Sequence, residues 1–131
     1  MWTLMPFGLI YLGLGFWCLA APEIAAGGID YLLQSDTARA EFITIYGGLD
    51  LGVGLAMLWC GWIPRLRLGA LVFSAIFSLC IALTRSATLL AYSTSSLLVQ
   101  LAVVEWLAAI ALGIHALWLW RNEPSEAIDI K

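Results

Sequence analysis

Asp50, Arg85 and Glu105 each interrupt a long apolar run. A lone charge at the centre of a membrane helix costs roughly 2.5–3.5 kcal/mol on insertion scales, so such residues pair, line a cavity or carry protons. Arg85 and Glu105 form the obvious ion pair, because a guanidinium can hold a carboxylate bidentately. Asp50 is then the odd carboxylate. It shares Arg85, bonds the hydroxyl of Tyr46 one helical turn away, or carries a proton. Two uses follow: a structural clamp joining three helices, or a ligand or proton site that opens outward. His115 is the single histidine, so a bis-His haem within one subunit is excluded and a hydrogen-bonded role is expected. Cys18, Cys60 and Cys80 lie in apolar stretches without C-x-x-C spacing, which argues against a disulfide scaffold and a zinc site. Ser74, Ser78, Thr84, Ser86 and Thr88 are expected to bond back to their own helix carbonyls. There is no Ser/His/Asp set, phosphate loop or H-E-x-x-H motif. No metal or cofactor is expected. An enzyme using Asp50, Arg85 and Glu105 as acid, anchor and base is conceivable, but nothing defines a substrate and the reading leans against catalysis.

The elements that hold these groups follow from composition. Of 131 residues, 63% are hydrophobic and 11% charged, against roughly 25% charged in a soluble domain. Apolar blocks run from about Trp2 to Ala20, Ala40 to Ile63, Leu68 to Tyr92 and Leu97 to Trp120. Each reaches the roughly 20 residues needed to cross a bilayer. The expected fold is therefore all-α: a single integral membrane domain of four transmembrane helices. The first block lacks a preceding Lys or Arg and is too long for a signal-peptide core, so it is read as a true helix. A longer outer loop, Ala21 to Arg39, carries Glu23, Asp30 and Asp36, with a short interfacial helix predicted at Ile29–Leu33. A polar acidic tail follows Arg121.

Orientation follows from Lys and Arg near the helix ends. Arg65 and Arg67 lie between helices two and three, and Arg121 and Lys131 follow helix four. Opposite them only Arg39 stands near a helix end, and the 93–96 loop is uncharged. The predicted topology is N-in/C-in. Trp59, Trp62, Trp118 and Trp120 fall at the inner ends, where an aromatic belt belongs. Arg39 and Glu41 mark the outer rim. By depth, Asp50 falls near the midplane, while Arg85 and Glu105 come to one level in the outer half.

Helix two reads Tyr46-Gly47-Gly48-Leu49-Asp50-Leu51-Gly52-Val53-Gly54. Gly48 and Gly52 form a G-x-x-x-G pair, and Gly47 and Gly54 are seven apart. Helices in lipid associate through close van der Waals contact, which glycine permits. This face is expected to make the tightest crossing, with Gly8, Gly13 and Gly15 of helix one as candidate partners.

These residues also carry a resemblance. Arg39-Ala40-Glu41, the Tyr46-Gly47-Gly48-Leu49 block, Leu51-Gly52-Val53-Gly54, Arg85 and Glu105 resemble a bacterial family of small four-helix membrane proteins known only as a domain of unknown function. The resemblance runs from Arg39 to Trp120, with helix one similar in hydrophobicity alone. It implies a four-helix membrane bundle in a bacterial inner membrane and no activity.

Net charge −3 provides no basic field for nucleic acid. The expected partners are the lipid bilayer and either other membrane subunits or a second copy. The leading expectation is a non-catalytic accessory or scaffold subunit of a membrane complex. The alternative is a small proton-coupled or solute carrier with its site around Asp50, Arg85 and Glu105. No inverted repeat is visible to support a carrier.

Overall fold

The computed structural model describes residues 3–92 and 96–122; residues 93–95 and the tail with Lys131 lie outside the described residues. The described residues form helices and connecting turns, with no strand among them. We number five helices: α1, Leu4–Ala20; α2, Pro22–Gly27; α3, Asp36–Trp62; α4, Pro64–Ala91; and α5, Ser96–Asn122. α3, α4 and α5 have 27, 28 and 27 residues and are long and apolar enough to cross a membrane. α1 is equally apolar but has 17 residues, about 26 Å at 1.5 Å per residue.

The helices pack as two antiparallel pairs, α1 on α3 and α4 on α5, joined along the contact between α3 and α4. Where α1 begins and α3 ends, Leu4, Val53, Met57, Leu71, Ala108, Leu112 and Ala116 form one apolar core drawn from all four long helices. A hydrogen bond of 2.6 Å between Thr3 Oγ1 and His115 Nδ1 ties the start of α1 to α5 at this end. Trp59, Trp62, Trp118 and Trp120 stand exposed around the same end.

Local chemistry explains where the elements depart from the expected boundaries. Pro64 occupies the first position of α4, where its missing N–H costs nothing and its fixed φ suits a helix. The α3–α4 link is therefore Ile63 alone, and Arg65 and Arg67 belong to the first turn of α4 rather than to a loop. Arg67 Nε donates to the Gly61 carbonyl at 2.9 Å and fastens this corner. The short outer helix is Pro22–Gly27, not Ile29–Leu33. Pro22 starts it, and Gly27-Gly28 leads into a turn where Asp30 takes a positive φ of 57°. Ile29 and Leu33 then pack as loop residues against Cys18, Ala25, Ala26 and Phe42, closing the α2 end of the α1–α3 pair.

α3 is not uniformly α-helical. Residues Ile43–Leu49 are wound as a π-helix between α-helical Asp36–Phe42 and Asp50–Trp62. Two sequence features favour the wider turn. Thr44 Oγ1 bonds back to the Ala40 carbonyl at 2.8 Å, competing with the helix ladder. Gly47-Gly48 brings no Cβ into the widened stretch. Such π stretches are frequent at functional sites.

Among the described residues, the glycines with backbone of a facing helix tightest against them lie between α1 and α3, seven apart on both. A Cβ on Gly54 would meet the Gly8 carbonyl oxygen and the Leu12 nitrogen at 2.8 Å. One on Gly15 would meet the Leu51 nitrogen at 2.7 Å and the Gly47 carbonyl oxygen at 2.9 Å. The antiparallel chains thus set Gly8 against Gly54 and Gly15 against Gly47. Gly48 and Gly52, expected in the tightest crossing, have open space where a Cβ would stand, as does Gly13. The G-x-x-x-G stripe points away from α1 because the adjacent stripe, Gly47 and Gly54, is the one turned inward.

Candidate functional site

Above the apolar core, the inward stripes of the helices change character. On α3 the stripe that buries Val53 and Met57 continues to Asp50. On α4 the buried positions Leu71, Ser74, Ser78 and Ala82 lead to Arg85. On α5 the stripe through Ala108 and Leu112 reaches Glu105. α1 contributes Tyr11, whose ring packs against the core and lies 6.1 Å from that of Phe77. Periodicity thus stacks a polar layer on an apolar floor.

Arg85 and Glu105 form a forked ion pair. Arg85 Nε donates to Glu105 Oε1 at 2.8 Å and Oε2 at 2.7 Å, and Nη2 lies 2.7 Å from Oε1. The side chains keep 27% and 17% of their exposure, so water screens the pair only in part. Beside the pair, at the next residue of each helix, Trp106 Nε1 donates to Ser86 Oγ at 3.0 Å, and Ser86 Oγ donates to the Ala82 carbonyl at 2.7 Å. Both links join α4 to α5, which already pack along their length. Neither reaches α3.

Asp50 stands apart. Among the described residues no hydrogen bond or ion pair engages its carboxylate, although the residue is half-buried. The three-helix clamp drawn from spacing is therefore a two-helix clamp. Tyr46 does not bond Asp50 either. Tyr46 instead stacks on Phe42 with ring centroids 4.8 Å apart, and it lies within electrostatic range of Arg85.

One member of the layer, Tyr11, was not singled out from sequence, and another, Ser78, was given a different role. Tyr11 lies beside Ser78 and near both Asp50 and Glu105. Its place at the middle of the first apolar run was the available signal. Ser78 is 1% exposed, and its Oγ lacks a well-formed hydrogen bond, although Tyr11 approaches it. Back-bonding was expected of it; Ser86 does bond so, and Thr88 bonds to the Arg85 carbonyl.

An open groove of about 380 Å³ runs along α4 past Phe77, Cys80, Ile81, Thr84, Arg85 and Thr88. Beyond it the π stretch of α3 packs on α1 and has no comparable contact with α4 or α5, so the two helix pairs diverge toward the end that carries α2. At the rim Arg39 pairs with Glu23 of α2 at 2.5 Å, with both side chains exposed, rather than with Glu41. Among the described residues no three His, Cys, Asp or Glu side chains converge to hold a metal. His115 is committed to Thr3.

A family model described as a domain of unknown function, DUF4345, matches residues 1–120. The chain belongs to this family. The DUF4345 match takes in α1, which the resemblance beginning at Arg39 left out, so the Tyr11 position falls within the family domain as surely as Asp50, Arg85 and Glu105. No curated protein and no solved structure matches the chain.

Proposed function

We propose that this DUF4345 protein crosses a bacterial inner membrane four times, N-in/C-in, and acts as a small membrane-embedded binding protein of carrier type. The polar layer between the helix pairs would be its site. The observation that carries this reading is Asp50: a half-buried carboxylate on the inward stripe of α3 with no partner among the described residues. A structural charge is expected to be paired, and an intramembrane carboxylate left without a cation is expected to serve a ligand or proton. The exposed apolar side chains around all four long helices fit a lipid surround. Arg65, Arg67 and Arg121 share one end with the four exposed tryptophans, which supports that end as cytoplasmic.

The accessory-subunit reading keeps one observation in its favour. Gly48 and Gly52 leave an open small-residue stripe on α3, suited to close approach of another helix. The two readings part at Asp50. In a strain whose deletion phenotype is known, Asp50→Asn should accumulate normally and fail to complement, while Gly48→Leu should complement. Full complementation by Asp50→Asn together with failure of Gly48→Leu would favour the accessory role. Topology is checked in a cysteine-free background with an impermeant thiol reagent. Ser96→Cys should label in intact cells and Asn122→Cys should not; the reverse pattern overturns N-in/C-in.

A further inference from the structure

We infer that the polar layer takes a hydrophobic monovalent cation, such as a protonated amine or an onium ion, held at Asp50. This deepens the binding-site reading and rests on it. Charge is the first argument. The layer holds two carboxylates and one guanidinium, and the guanidinium is spent on Glu105 through three contacts of 2.7–2.8 Å. One negative charge is left over, and it belongs to Asp50. In a medium of low dielectric an anion has little affinity for that place, whereas a cation supplies the missing partner.

The walls are the second argument. Tyr11 lies 6.1 Å from Phe77, with the two rings tilted by 56°. Aromatic faces stabilise cations and suit organic ions better than strongly hydrated metal ions. A groove of about 380 Å³ along α4, with Phe77 and Arg85 among its lining residues, lies beside the ion pair. Ser78, buried with an uncommitted Oγ beside Tyr11, offers a hydrogen-bond acceptor to an N–H of the ligand.

The approach is the third argument. The rim from α2 to the start of α3 carries Glu23, Asp30, Asp36 and Glu41, and its one cation, Arg39, is paired with Glu23. The excess of negative charge at the mouth raises the local concentration of cations.

The test uses the full chain in detergent, titrated with tetraphenylphosphonium and followed by quenching of tryptophan fluorescence. Saturable binding is expected, weakened at least tenfold by Asp50→Asn and retained by Asp50→Glu, which keeps the charge. Melting of each variant in the same detergent separates loss of binding from loss of fold. Tetraphenylborate has the same shape and opposite charge and should bind at least tenfold more weakly. Stronger binding of the borate would overturn the cation assignment. So would phosphonium binding that is absent, or unchanged in a folded Asp50→Asn protein. The complementation result for Asp50→Asn then decides separately whether the site reading itself survives.

Discussion

Adding a single methyl group should distinguish the two glycine stripes of α3. Gly15→Ala places a Cβ 2.7 Å from the Leu51 nitrogen and 2.9 Å from the Gly47 carbonyl oxygen. Both are backbone atoms of the facing helix, and ordinary Cβ contacts begin near 3.4 Å. No rotamer change can relieve the overlap, so α1 and α3 must move apart by some tenths of an ångström. Even a gap of 0.5–1 Å forfeits a quarter to a half of a contact's dispersion energy. Overpacking of this kind costs about 1–3 kcal/mol. Gly54→Ala meets the Gly8 carbonyl and the Leu12 nitrogen at 2.8 Å and should cost about the same. The two sites share one interface, so a separation forced at either relieves the other, and the double variant should cost less than the sum. Gly48→Ala and Gly52→Ala meet no atom within 4 Å. They should be neutral or stabilising, since alanine is favoured over glycine in a helix by up to about 1 kcal/mol. Unfolding in mixed micelles, followed by circular dichroism, measures all five proteins under one condition. Equal losses at Gly15 and Gly48 would refute the seven-spaced crossing.

Four further variants probe the polar layer. Arg85→Ala and Glu105→Ala should each cost about 3 kcal/mol, the lower end for breaking a buried pair given the residual exposure of both side chains. Arg85→Met with Glu105→Leu should recover much of that loss in the same unfolding assay, because no orphan charge remains. Ser78→Ala should raise stability, since an unbonded buried hydroxyl costs about 1–3 kcal/mol; a drop would mean that its hydroxyl makes a structural bond with Tyr11.

Much of this architecture was legible in the chain because hydropathy and charge act locally. The apolar runs mark the long helices, and depth counting brings Arg85 and Glu105 together, since straight helices of 1.5 Å rise preserve register over short distances. The failures share a cause. A Tyr46 bond was one of three alternatives for Asp50, and Tyr46 instead stacks on Phe42. Gly48 and Gly52 were favoured on motif, although Gly47 and Gly54 satisfy the same chemistry about a third of a turn around the helix. Which stripe turns inward is decided by α1, and a single helix cannot reveal it. Tyr11 escaped notice because an aromatic residue in an apolar run reads as bulk hydrophobe, and its role depends on the three helices around its hydroxyl.

The central claim is that Asp50 has no part in holding the bundle together, whereas Glu105 does. Thermal unfolding of Asp50→Asn beside Glu105→Gln, in one detergent, tests it most directly. The account predicts that Glu105→Gln unfolds well below the unsubstituted protein because Arg85 loses its charge partner, and that Asp50→Asn unfolds at or above it because no partner is lost. An Asp50→Asn protein as destabilised as Glu105→Gln would contradict the account and make Asp50 a third member of the clamp.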